Sequence, residues 1–227
     1  MSAPAPIELA RYIDHTLLTP DATAKDLQRL CAEARAHHFH SVCVNGSRVE
    51  LAASLLEGSD VKVCTVVGFP LGAMDSDAKR YETEVAADAG AAEIDMVLNI
   101  GRLKDADHRY CIREIRDIVE AAEGRLVKVI LETCLLTCDE IVTACKLVIE
   151  AQAHFVKTST GFSTAGATIE HVKLMRETVG QSAGVKASGG IRDTAGALAM
   201  IEVGATRLGT SASIAIVTGA AGSSGKY

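Results

Sequence analysis

Short apolar runs rich in β-branched residues alternate with longer amphipathic stretches along the whole chain, and this alternation limits the possible folds most strongly. The amphipathic stretches have helical spacing; in one of them Ile112, Ile115, Val119 and Ala122 recur every three or four residues. The predicted strands are residues 41–44, 61–67, 93–98, 126–131, 155–159, 185–187 and 206–209, with a weaker one at 12–16. The regular order of strand and helix leaves no place to divide the chain into two domains.

These strands are apolar on both faces, which is typical of a parallel sheet covered by helices on both sides. Their number and the 227-residue length predict a closed (β/α)8 TIM barrel, whose usual length is about 250 residues. A doubly wound open sheet is the alternative, but Gly46-Ser47-Arg48 after Val44 does not match its glycine fingerprint. We therefore expect a single α/β domain over residues 1–227, with residues 219–227 as a flexible tail rich in Gly and Ser.

Charge and composition exclude several classes of function. The chain has 23 Lys and Arg against 29 Asp and Glu, a net charge of −6, which argues against binding to nucleic acid or to membranes. The N-terminus shows no signal peptide, and residues 208–225 contain too much Ser, Thr and Gly for a membrane span. The seven Cys form no CxxC motif, which predicts a reduced, cytoplasmic protein without disulfide bonds.

Three lysines, Lys128, Lys157 and Lys186, interrupt strands that are otherwise apolar. Lys157 follows Lys128 by 29 residues and precedes Lys186 by 29 residues. We therefore expect the three side chains at equivalent heights on successive strands, pointing into the mouth of the barrel. Lysine is almost never fully buried without a partner. Burial and neighbouring cations both favour the neutral amine, which is the nucleophilic form.

A carboxylate lies on the strand that precedes these lysines. Asp95 shares one strand face with Glu93 and Val97, one strand–helix unit before Lys128. A carboxylate beside amines compensates their charge or transfers protons. Each of these charges taken alone is explained as well by an ordinary strand end. Three lysines and an aspartate in register predict instead Schiff-base chemistry on a carbonyl compound.

Glycines follow the last two predicted strands, at the positions where barrels often bind phosphate. Gly189 and Gly190 follow the seventh strand, and Gly209 and Ser211 lie at the end of the eighth. Glycine lets backbone N–H groups approach an anion, and a following helix N-terminus adds a favourable dipole. A tight turn without a ligand would have the same sequence, but two such turns on adjacent strands favour a phosphate site. The predicted ligand is a small phosphorylated carbonyl compound.

Motifs across the chain carry a resemblance to a known family. They are Ile13-Asp14-His15-Thr16-Leu17-Leu18, Val42-Cys43-Val44-Asn45, Val66-Val67-Gly68-Phe69-Pro70-Leu71-Gly72, Glu93-Ile94-Asp95-Met96-Val97, Lys128-Val129-Ile130-Leu131-Glu132-Thr133, Phe155-Val156-Lys157-Thr158-Ser159-Thr160-Gly161-Phe162 and Val185-Lys186-Ala187-Ser188-Gly189-Gly190-Ile191-Arg192. With these motifs in this order, the chain resembles the class I, Schiff-base deoxyribose-phosphate aldolase family.

The resemblance implies an activity. It is the reversible cleavage of 2-deoxy-D-ribose 5-phosphate to D-glyceraldehyde 3-phosphate and acetaldehyde, in the catabolism of deoxyribose phosphate and deoxyribonucleosides. It implies a homo-oligomer, either a dimer or a tetramer, whose partner is a phosphorylated sugar. It also implies a reaction that uses neither a metal nor another cofactor.

The resemblance further implies roles for individual residues. Lys157 forms the Schiff base, Asp95 transfers protons, and Lys186 keeps the Lys157 amine reactive and joins the proton relay. The implied phosphate-binding residues are Gly161, Gly189, Gly190, Arg192, Gly209 and Ser211. The supporting residues are Thr16, Lys128 and Cys43. Some relatives have Lys where this chain has Phe162, which implies a weaker hold on the phosphate here.

Other patterns have plainer explanations. His37, His38 and His40 resemble a metal cluster, but the first two point in different directions on a helix, and histidine near a helix C-terminus is ordinary. We therefore expect no metal. Cys43 at the end of the second strand is expected to be a packed thiol rather than a reactive one. Tyr227 at the end of the tail is either inert or assists proton transfer.

Two other functions are compatible with the same barrel. A phosphosugar isomerase would use the strand lysines only to stabilise charge. A non-catalytic phosphate-binding protein would lack the imine lysine or the aspartate, whereas Lys157 and Asp95 are both present. Borohydride trapping distinguishes the aldolase from the isomerase, because only an imine is reduced to a stable adduct.

Overall fold

The computed structural model describes residues 9–220, and its centre is a closed barrel of parallel strands. The strands are β1 (Ile13–Leu17), β2 (Ser41–Val44), β3 (Lys62–Val67), β4 (Glu93–Val97), β5 (Leu126–Ile130), β6 (Phe155–Lys157), β7 (Gly184–Ser188) and β8 (Arg207–Thr210). Each strand pairs with the next along the chain, and β8 pairs with β1. The predicted (β/α)8 barrel is confirmed. The doubly wound alternative is wrong, because the sheet has closed.

Helices connect the strands and cover the outside of the barrel. They are α1 (Ala24–His37), α2 (Val49–Leu55), α3 (Ser76–Asp88), α4 (Ile100–Lys104), α5 (His108–Ala121), α6 (Cys138–Glu150), α7 (Ile169–Val179), α8 (Thr194–Glu202) and α9 (Ser213–Thr218). Local sequence fixes several of their first residues: Thr23 before α1 and Thr137 before α6 each form a capping box. In residues 9–220, no helix is both long enough and apolar enough to cross a membrane.

The predicted strands agree with the observed ones to within one or two residues at each end. The largest difference is at β6, which ends at Lys157 although the pattern predicted it through residue 159. Thr158 Oγ1 donates to the carbonyl of Ser188 at 3.1 Å, and Ser188 Oγ donates to the carbonyl of Ser159 at 2.7 Å. Beyond Lys157, these side-chain hydrogen bonds add to the backbone hydrogen bonds from Thr158 N–H to Lys186 and from Thr133 N–H to Thr158. Most of the predicted tail, with Tyr227, lies outside the described residues.

The main apolar core lies between the strands and the surrounding helices and includes Ile94, Val129, Val156, Ile118 and Met175. A smaller apolar cluster forms around Leu18, Cys43, Cys64 and Val66. A group of buried charged side chains also lies inside the barrel: Asp14, Glu93, Asp95, Lys128, Lys157, Lys186 and Arg207. The helices therefore stabilise the barrel from outside, while its interior holds a charge network.

The buried face of α5 differs from the predicted one. Cys111 and Ile118 are fully buried, whereas Ile112 and Val119, which the spacing placed on the inner face, are only partly buried. The face is rotated because Glu114 also points inward and is completely buried. The apolar spacing predicted the helix correctly, but it could not indicate a buried carboxylate.

Glu114 is buried because Lys79 of α3 is its partner. Lys79 Nζ donates to Glu114 Oε1 at 2.8 Å and to the carbonyl of Val97 at 2.9 Å. The backbone N–H of Asn99 donates to Glu114 Oε2 at 3.2 Å. Burial lowers the pKa of Lys79 and raises that of Glu114, which is the expected cost of removing both charges from water. The pair fixes α3 and α5 against the C-terminal end of β4.

Candidate active site

The three strand lysines do not lie at one height. Lys157 pairs directly with Lys186 across β6 and β7. On the other side, however, Lys157 pairs with Ile130, and Lys128 pairs with Phe155 two residues earlier. The expectation of equal heights is therefore correct for Lys157 and Lys186 and wrong for Lys128, which lies deeper. Strands in a barrel are staggered by its shear, so equal spacing in sequence does not guarantee equal height.

Asp95 connects all three lysines. Its Oδ1 accepts a hydrogen bond from Lys128 Nζ at 2.6 Å. Its Oδ2 accepts from Lys157 Nζ at 2.8 Å and from Lys186 Nζ at 2.7 Å. The structure thus brings the predicted Schiff-base lysine and both predicted proton-transfer residues together at one carboxylate. Asp95 and Lys186 are fully buried, and Lys157 is 3% exposed.

A second layer of charges lies beside this group. Asp14 accepts a short hydrogen bond from Lys186 Nζ and a 2.9 Å hydrogen bond from Arg207 Nη1. Arg207 Nη1 also donates to Glu93 Oε2 at 2.7 Å, and Lys128 Nζ lies 2.7 Å from the same oxygen. Every cation of this layer therefore contacts at least two carboxylates.

The carboxylates reverse the effect that burial has on the lysines. Burial lowers the pKa of Lys186, but Asp14 and Asp95 outweigh burial and raise this pKa above its ordinary value. The pKa of Lys128 is raised well above its ordinary value for the same reason, with Asp95 as the strongest opposing charge. The expectation that burial and like charges favour the neutral amine is wrong for Lys128 and Lys186. Both are ammonium ions, because acidic partners from other strands surround them.

The carboxylates respond in the opposite direction. Burial alone would raise the pKa of Asp95, but the ammonium groups of Lys128, Lys157 and Lys186 hold it well below its ordinary value. Burial would also raise the pKa of Asp14, which Lys186 and Arg207 instead lower to about 2. In this structure both groups are therefore carboxylates that accept hydrogen bonds from these cations.

Cations outnumber carboxylates by one among the charged strand side chains that the structure describes inside the barrel. The carboxylates are Asp14, Glu93 and Asp95, and the cations are Lys128, Lys157, Lys186 and Arg207. Lys157 contacts one of these carboxylates, Asp95, whereas each of the other three cations contacts at least two. Its side chain is also 4% exposed, whereas those of Lys128 and Lys186 are fully buried. Lys157 is therefore the least enclosed of the three strand lysines.

Two predicted supporting residues lie on neighbouring strands. Thr16 pairs with Cys43 across β1 and β2, and Thr16 Oγ1 donates to the carbonyl of Asp14 at 2.8 Å. Cys43 is fully buried, in agreement with a packed thiol. A hydrogen bond from Cys64 outweighs burial and lowers the pKa of Cys43 below its ordinary value.

Two thiols and a carboxylate lie close enough together to hold a metal ion. The ligand atoms of Cys43, Cys64 and Asp95 are within 4.8 Å of one another. However, both oxygens of Asp95 already accept hydrogen bonds from ammonium groups, and Lys128 Nζ lies 3.3 Å from Cys64 Sγ. A metal ion here would have to displace the lysines, so the donor set does not fit one well.

The histidines that resemble a metal cluster in the sequence have other partners. His37 stacks on Phe39 with ring centroids 5.6 Å apart. His40 Nε2 lies 2.9 Å from Glu93 Oε1, at the outer end of the charge network. His38 ends α1 in the left-handed conformation, with a φ of 54°. The three side chains therefore belong to a helix end and to the barrel network.

A cavity of about 390 Å³ opens at the C-terminal end of the barrel, between the loops that follow β6, β7 and β8. Five of the six predicted phosphate-binding residues line it: Gly161, Gly189, Gly190, Arg192 and Ser211. Gly161, Gly189 and Gly190 have φ values of 82–87°, a conformation that favours glycine. Within residues 9–220, the backbone N–H groups of Gly190 and Ser211 donate to no acceptor. The cavity therefore offers backbone donors to an anion.

Gly209 is the exception among the predicted phosphate-binding residues, because it does not line the cavity. A Cβ atom at this position would lie 3.0 Å from Lys186 Cε and 3.0 Å from Ser188 Cβ. Only glycine fits well at position 209, because the Lys186 side chain crosses directly over it to reach Asp14 and Asp95.

Phe162 lies at the rim of the same cavity and is 41% exposed. Its ring packs edge-on against Phe69, with centroids 5.2 Å apart. Arg192 is also exposed at this rim. The position where some relatives have Lys thus forms part of an apolar wall, and Arg192 is the side-chain cation of the cavity lining.

Sequence reasoning missed several residues of the site. Asp14, Glu93 and Arg207 complete the charge network, and Gly166 lies under the anion cavity, where its Cβ would be 2.2 Å from the carbonyl oxygen of Gly189. The sequence does contain a signal for Asp14, Glu93 and Arg207, because each is a charged residue in a buried strand, like the three lysines. Gly166 has no such signal, since only the loop crossing requires a glycine there.

These features define a class of protein: a (β/α)8 barrel with a buried lysine–carboxylate centre next to an anion cavity. A family model described as DeoC/LacD family aldolase matches residues 9–222. The chain therefore belongs to this aldolase family and is a carbon–carbon lyase. The resemblance that the motifs indicated is confirmed.

Individual relatives agree with the family. A deoxyribose-phosphate aldolase of Alkaliphilus oremlandii is 59% identical over 212 residues, 93% of this chain and 96% of that relative. One of Exiguobacterium sp. is 60% identical over 214 residues, 94% of this chain and 97% of that relative. Among solved structures, a tetrameric deoxyribose phosphate aldolase from Aeropyrum pernix has a TM-score of 0.88 at 34% identity and covers 94% of this chain and 91% of its own.

Proposed function

We propose that this chain cleaves 2-deoxy-D-ribose 5-phosphate reversibly to D-glyceraldehyde 3-phosphate and acetaldehyde, through a Schiff base on Lys157. The observation that carries the proposal is the convergence of Lys157, Asp95 and Lys186 beside an anion cavity. The names of the relatives, deoxyribose-phosphate aldolase, support the choice of substrate.

The first half of the reaction makes the imine. The neutral amine of Lys157 attacks the C1 aldehyde of the open-chain sugar phosphate, and loss of water gives a protonated imine. Asp95 lies 2.8 Å from Lys157 Nζ and 2.7 Å from Lys186 Nζ, so protons of this step pass among these three groups. Between proton transfers, the Lys186 ammonium orients the Asp95 carboxylate towards Lys157.

The second half breaks the carbon–carbon bond. A base removes the proton of the C3 hydroxyl, the C2–C3 bond breaks, and its electron pair moves into the protonated imine. Glyceraldehyde 3-phosphate leaves, and an enamine remains on Lys157. Protonation at C2 followed by addition of water releases acetaldehyde and restores the amine, so the water lost in the first half is returned. We assign the proton transfers to Asp95, with Lys186 as its partner.

The phosphate of the substrate occupies the cavity lined by Gly161, Gly189, Gly190, Arg192 and Ser211. Backbone N–H groups at positive-φ glycines bind an anion without competing side chains. Gly209 acts indirectly, because its small size lets the Lys186 side chain reach Asp95.

The setting of the reaction is also part of the proposal. We propose that the enzyme is cytoplasmic, acts in deoxyribose phosphate and deoxyribonucleoside catabolism, and forms a homo-oligomer, a dimer or a tetramer. The tetrameric relative from Aeropyrum pernix supports the oligomer.

The imine lysine is tested by trapping. Treatment with acetaldehyde and borohydride is expected to leave a reduced ethyl adduct on Lys157, and Lys157→Ala is expected to abolish both turnover and the adduct. Peptide mass spectrometry locates the adduct, and acetaldehyde release from 2-deoxy-D-ribose 5-phosphate measures turnover. Lys173→Ala, which removes a lysine whose side chain is 64% exposed, is the matched control. An adduct on Lys128 or Lys186, with Lys157 unmodified, would contradict the assignment.

A further inference from the structure

Glu132 and Thr160 join two loops at the mouth of the barrel, and the reaction proposed above uses neither. Glu132 follows β5, and Thr160 follows β6; each is only 3% exposed. Glu132 also has a φ of 55°, in the left-handed region. This region is disfavoured for residues other than glycine. A buried carboxyl group in this conformation needs strong local partners, and Thr160 supplies them.

Thr160 holds Glu132 with both its side chain and its backbone. Thr160 Oγ1 donates a short hydrogen bond to Glu132 Oε2, and the Thr160 backbone N–H lies 3.3 Å from Oε1. The same hydroxyl accepts a hydrogen bond from the backbone N–H of Phe162 at 3.1 Å. Because the hydroxyl donates to the carboxylate, its lone pairs face Phe162. Glu132 thus fixes the direction of the hydroxyl that holds Phe162.

A second contact joins Glu132 to Cys134, two residues further along the same loop. Cys134 Sγ lies 3.9 Å from Glu132 Oε1 and 3.4 Å from Ser163 Oγ. Phe162 and Ser163 both line the anion cavity. Both contacts therefore lead from a carboxyl group on the β5 loop to the wall of the cavity.

We propose that Glu132 is a positioning residue that shapes the phosphate-binding loop through Thr160. The inference rests on the proposed function, because it takes the anion cavity to be the phosphate site. Glu132 acts on the loop only through its contacts with other residues, and it contributes to phosphate affinity without contacting the phosphate. This role is specific for a carboxylate with a hydroxyl partner, since both oxygens of Glu132 accept from Thr160.

Three substitutions test the proposal. Glu132→Gln replaces one carboxylate oxygen by an NH2 group, so that the Thr160 hydroxyl would accept a hydrogen bond instead of donating one. Thr160→Val removes the hydroxyl, and Thr160→Ser keeps it. We expect Glu132→Gln and Thr160→Val to raise the KM for 2-deoxy-D-ribose 5-phosphate and the Ki of inorganic phosphate by about tenfold, the effect of one charge-assisted hydrogen bond. Thr160→Ser should restore both constants to near the wild-type values.

Unphosphorylated 2-deoxyribose separates positioning of the phosphate from an effect on the reacting carbons. We expect its kcat/KM to change less than about twofold in the same variants, because this substrate makes no use of the cavity. An equal loss with both substrates would overturn the proposal, since Glu132 would then act on the imine centre. Unchanged constants for both substrates and for inorganic phosphate would also overturn it.

Controls separate this result from misfolding and from failure of the proposed function. Glu123→Gln is a matched control, because Glu123 also has a positive φ, of 50°, but its side chain is 75% exposed. Borohydride trapping of acetaldehyde on Lys157 shows that a variant retains its imine centre. If wild-type enzyme does not cleave 2-deoxy-D-ribose 5-phosphate, the proposed substrate fails. The Kd of inorganic phosphate, measured by calorimetry on wild-type enzyme and on the variants, then still tests Glu132.

Discussion

The charge state of each buried residue depends on partners that lie far away in sequence. Lys186 contacts Asp14 and Asp95, which are 172 and 91 residues away. Three neighbouring lysines without these carboxylates would favour neutral amines, and the sequence predicted that state. With the carboxylates in place, Lys128 and Lys186 have raised pKa values. The residue types were visible in the sequence, but the sign of their pKa shifts was decided by contacts across the barrel.

Lys128 tests how strongly the network depends on balanced charge. Lys128→Met leaves Asp95 and Glu93 each without one cation in a buried site, which is expected to cost about 3–5 kcal/mol of unfolding free energy. Urea unfolding measures this loss. Lys173→Met, which breaks an exposed pair with Glu177, should cost less than about 1 kcal/mol. Equal, small losses in the two variants would show that the buried charges do not stabilise the barrel.

At the scale of elements, the site is built by loops that cross closely at the ends of strands. The loops after β6 and β7 touch where Gly166 and Gly189 meet, and the N–H of Ala167 donates to the carbonyls of Ser188 and Gly189 at 3.0 Å. The glycines after β7 were expected to approach an anion. Gly189 also allows two backbones to approach each other, a requirement that only the packing of the loops could reveal.

Two adjacent glycines separate backbone strain from steric contact. Gly189 and Gly190 have similar φ values, 84° and 82°, but a Cβ at Gly189 would lie 2.9 Å from Gly166 Cα, whereas one at Gly190 meets nothing within 4 Å. Gly190→Ala should therefore cost about 1–2 kcal/mol of stability. Gly189→Ala should cost clearly more and should also weaken phosphate binding.

Thermal unfolding and the Ki of inorganic phosphate measure the two effects. Gly58→Ala, with a φ of 72° and no atom within 4 Å of the added Cβ, is the control for strain outside the anion cavity. Equal destabilisation by Gly189→Ala and Gly190→Ala would show that the loop crossing has no steric requirement for glycine.

At the scale of the whole molecule, a protein with a net charge of −6 encloses a barrel interior with one excess cation. The average charge therefore does not describe the interior, where the excess cation favours the anionic substrate proposed above. The same burial links folding to pH, because the carboxylates of the network have lowered pKa values in the folded state. A carboxylate with a lowered pKa stabilises the folded state fully at pH values above its pKa in the unfolded chain. This stabilisation is lost as the pH falls through its pKa in the folded protein.

Acid unfolding should therefore report on the network. For Asp14 the pKa falls from 3.8 to about 2 on folding, so its contribution is full above about pH 4 and declines towards pH 2. That decline corresponds to about 2 kcal/mol. Urea unfolding at several pH values measures it, and Asp14→Asn should flatten the curve in this window. An unchanged slope in Asp14→Asn would contradict the pKa shift.

The raised lysine pKa values act at the other end of the pH range. Lys128 and Lys186 have an ordinary pKa of 10.5 that folding raises, so their contribution is present below about pH 10 and is lost only as pH rises above that. Lys128 and Lys186 are therefore charged over the whole neutral range.

The sequence by itself determined the strand–helix alternation, the closed barrel and the inward-facing Lys157, Lys186 and Asp95. It could do so because strand and helix periodicity are local properties, and because a charge in a buried strand needs a partner. Tertiary structure decided the depth of Lys128, the charged state of the network and the support that Glu132 gives to the cavity loop. These depend on strand register and loop crossing, which bring together residues that are far apart in the chain.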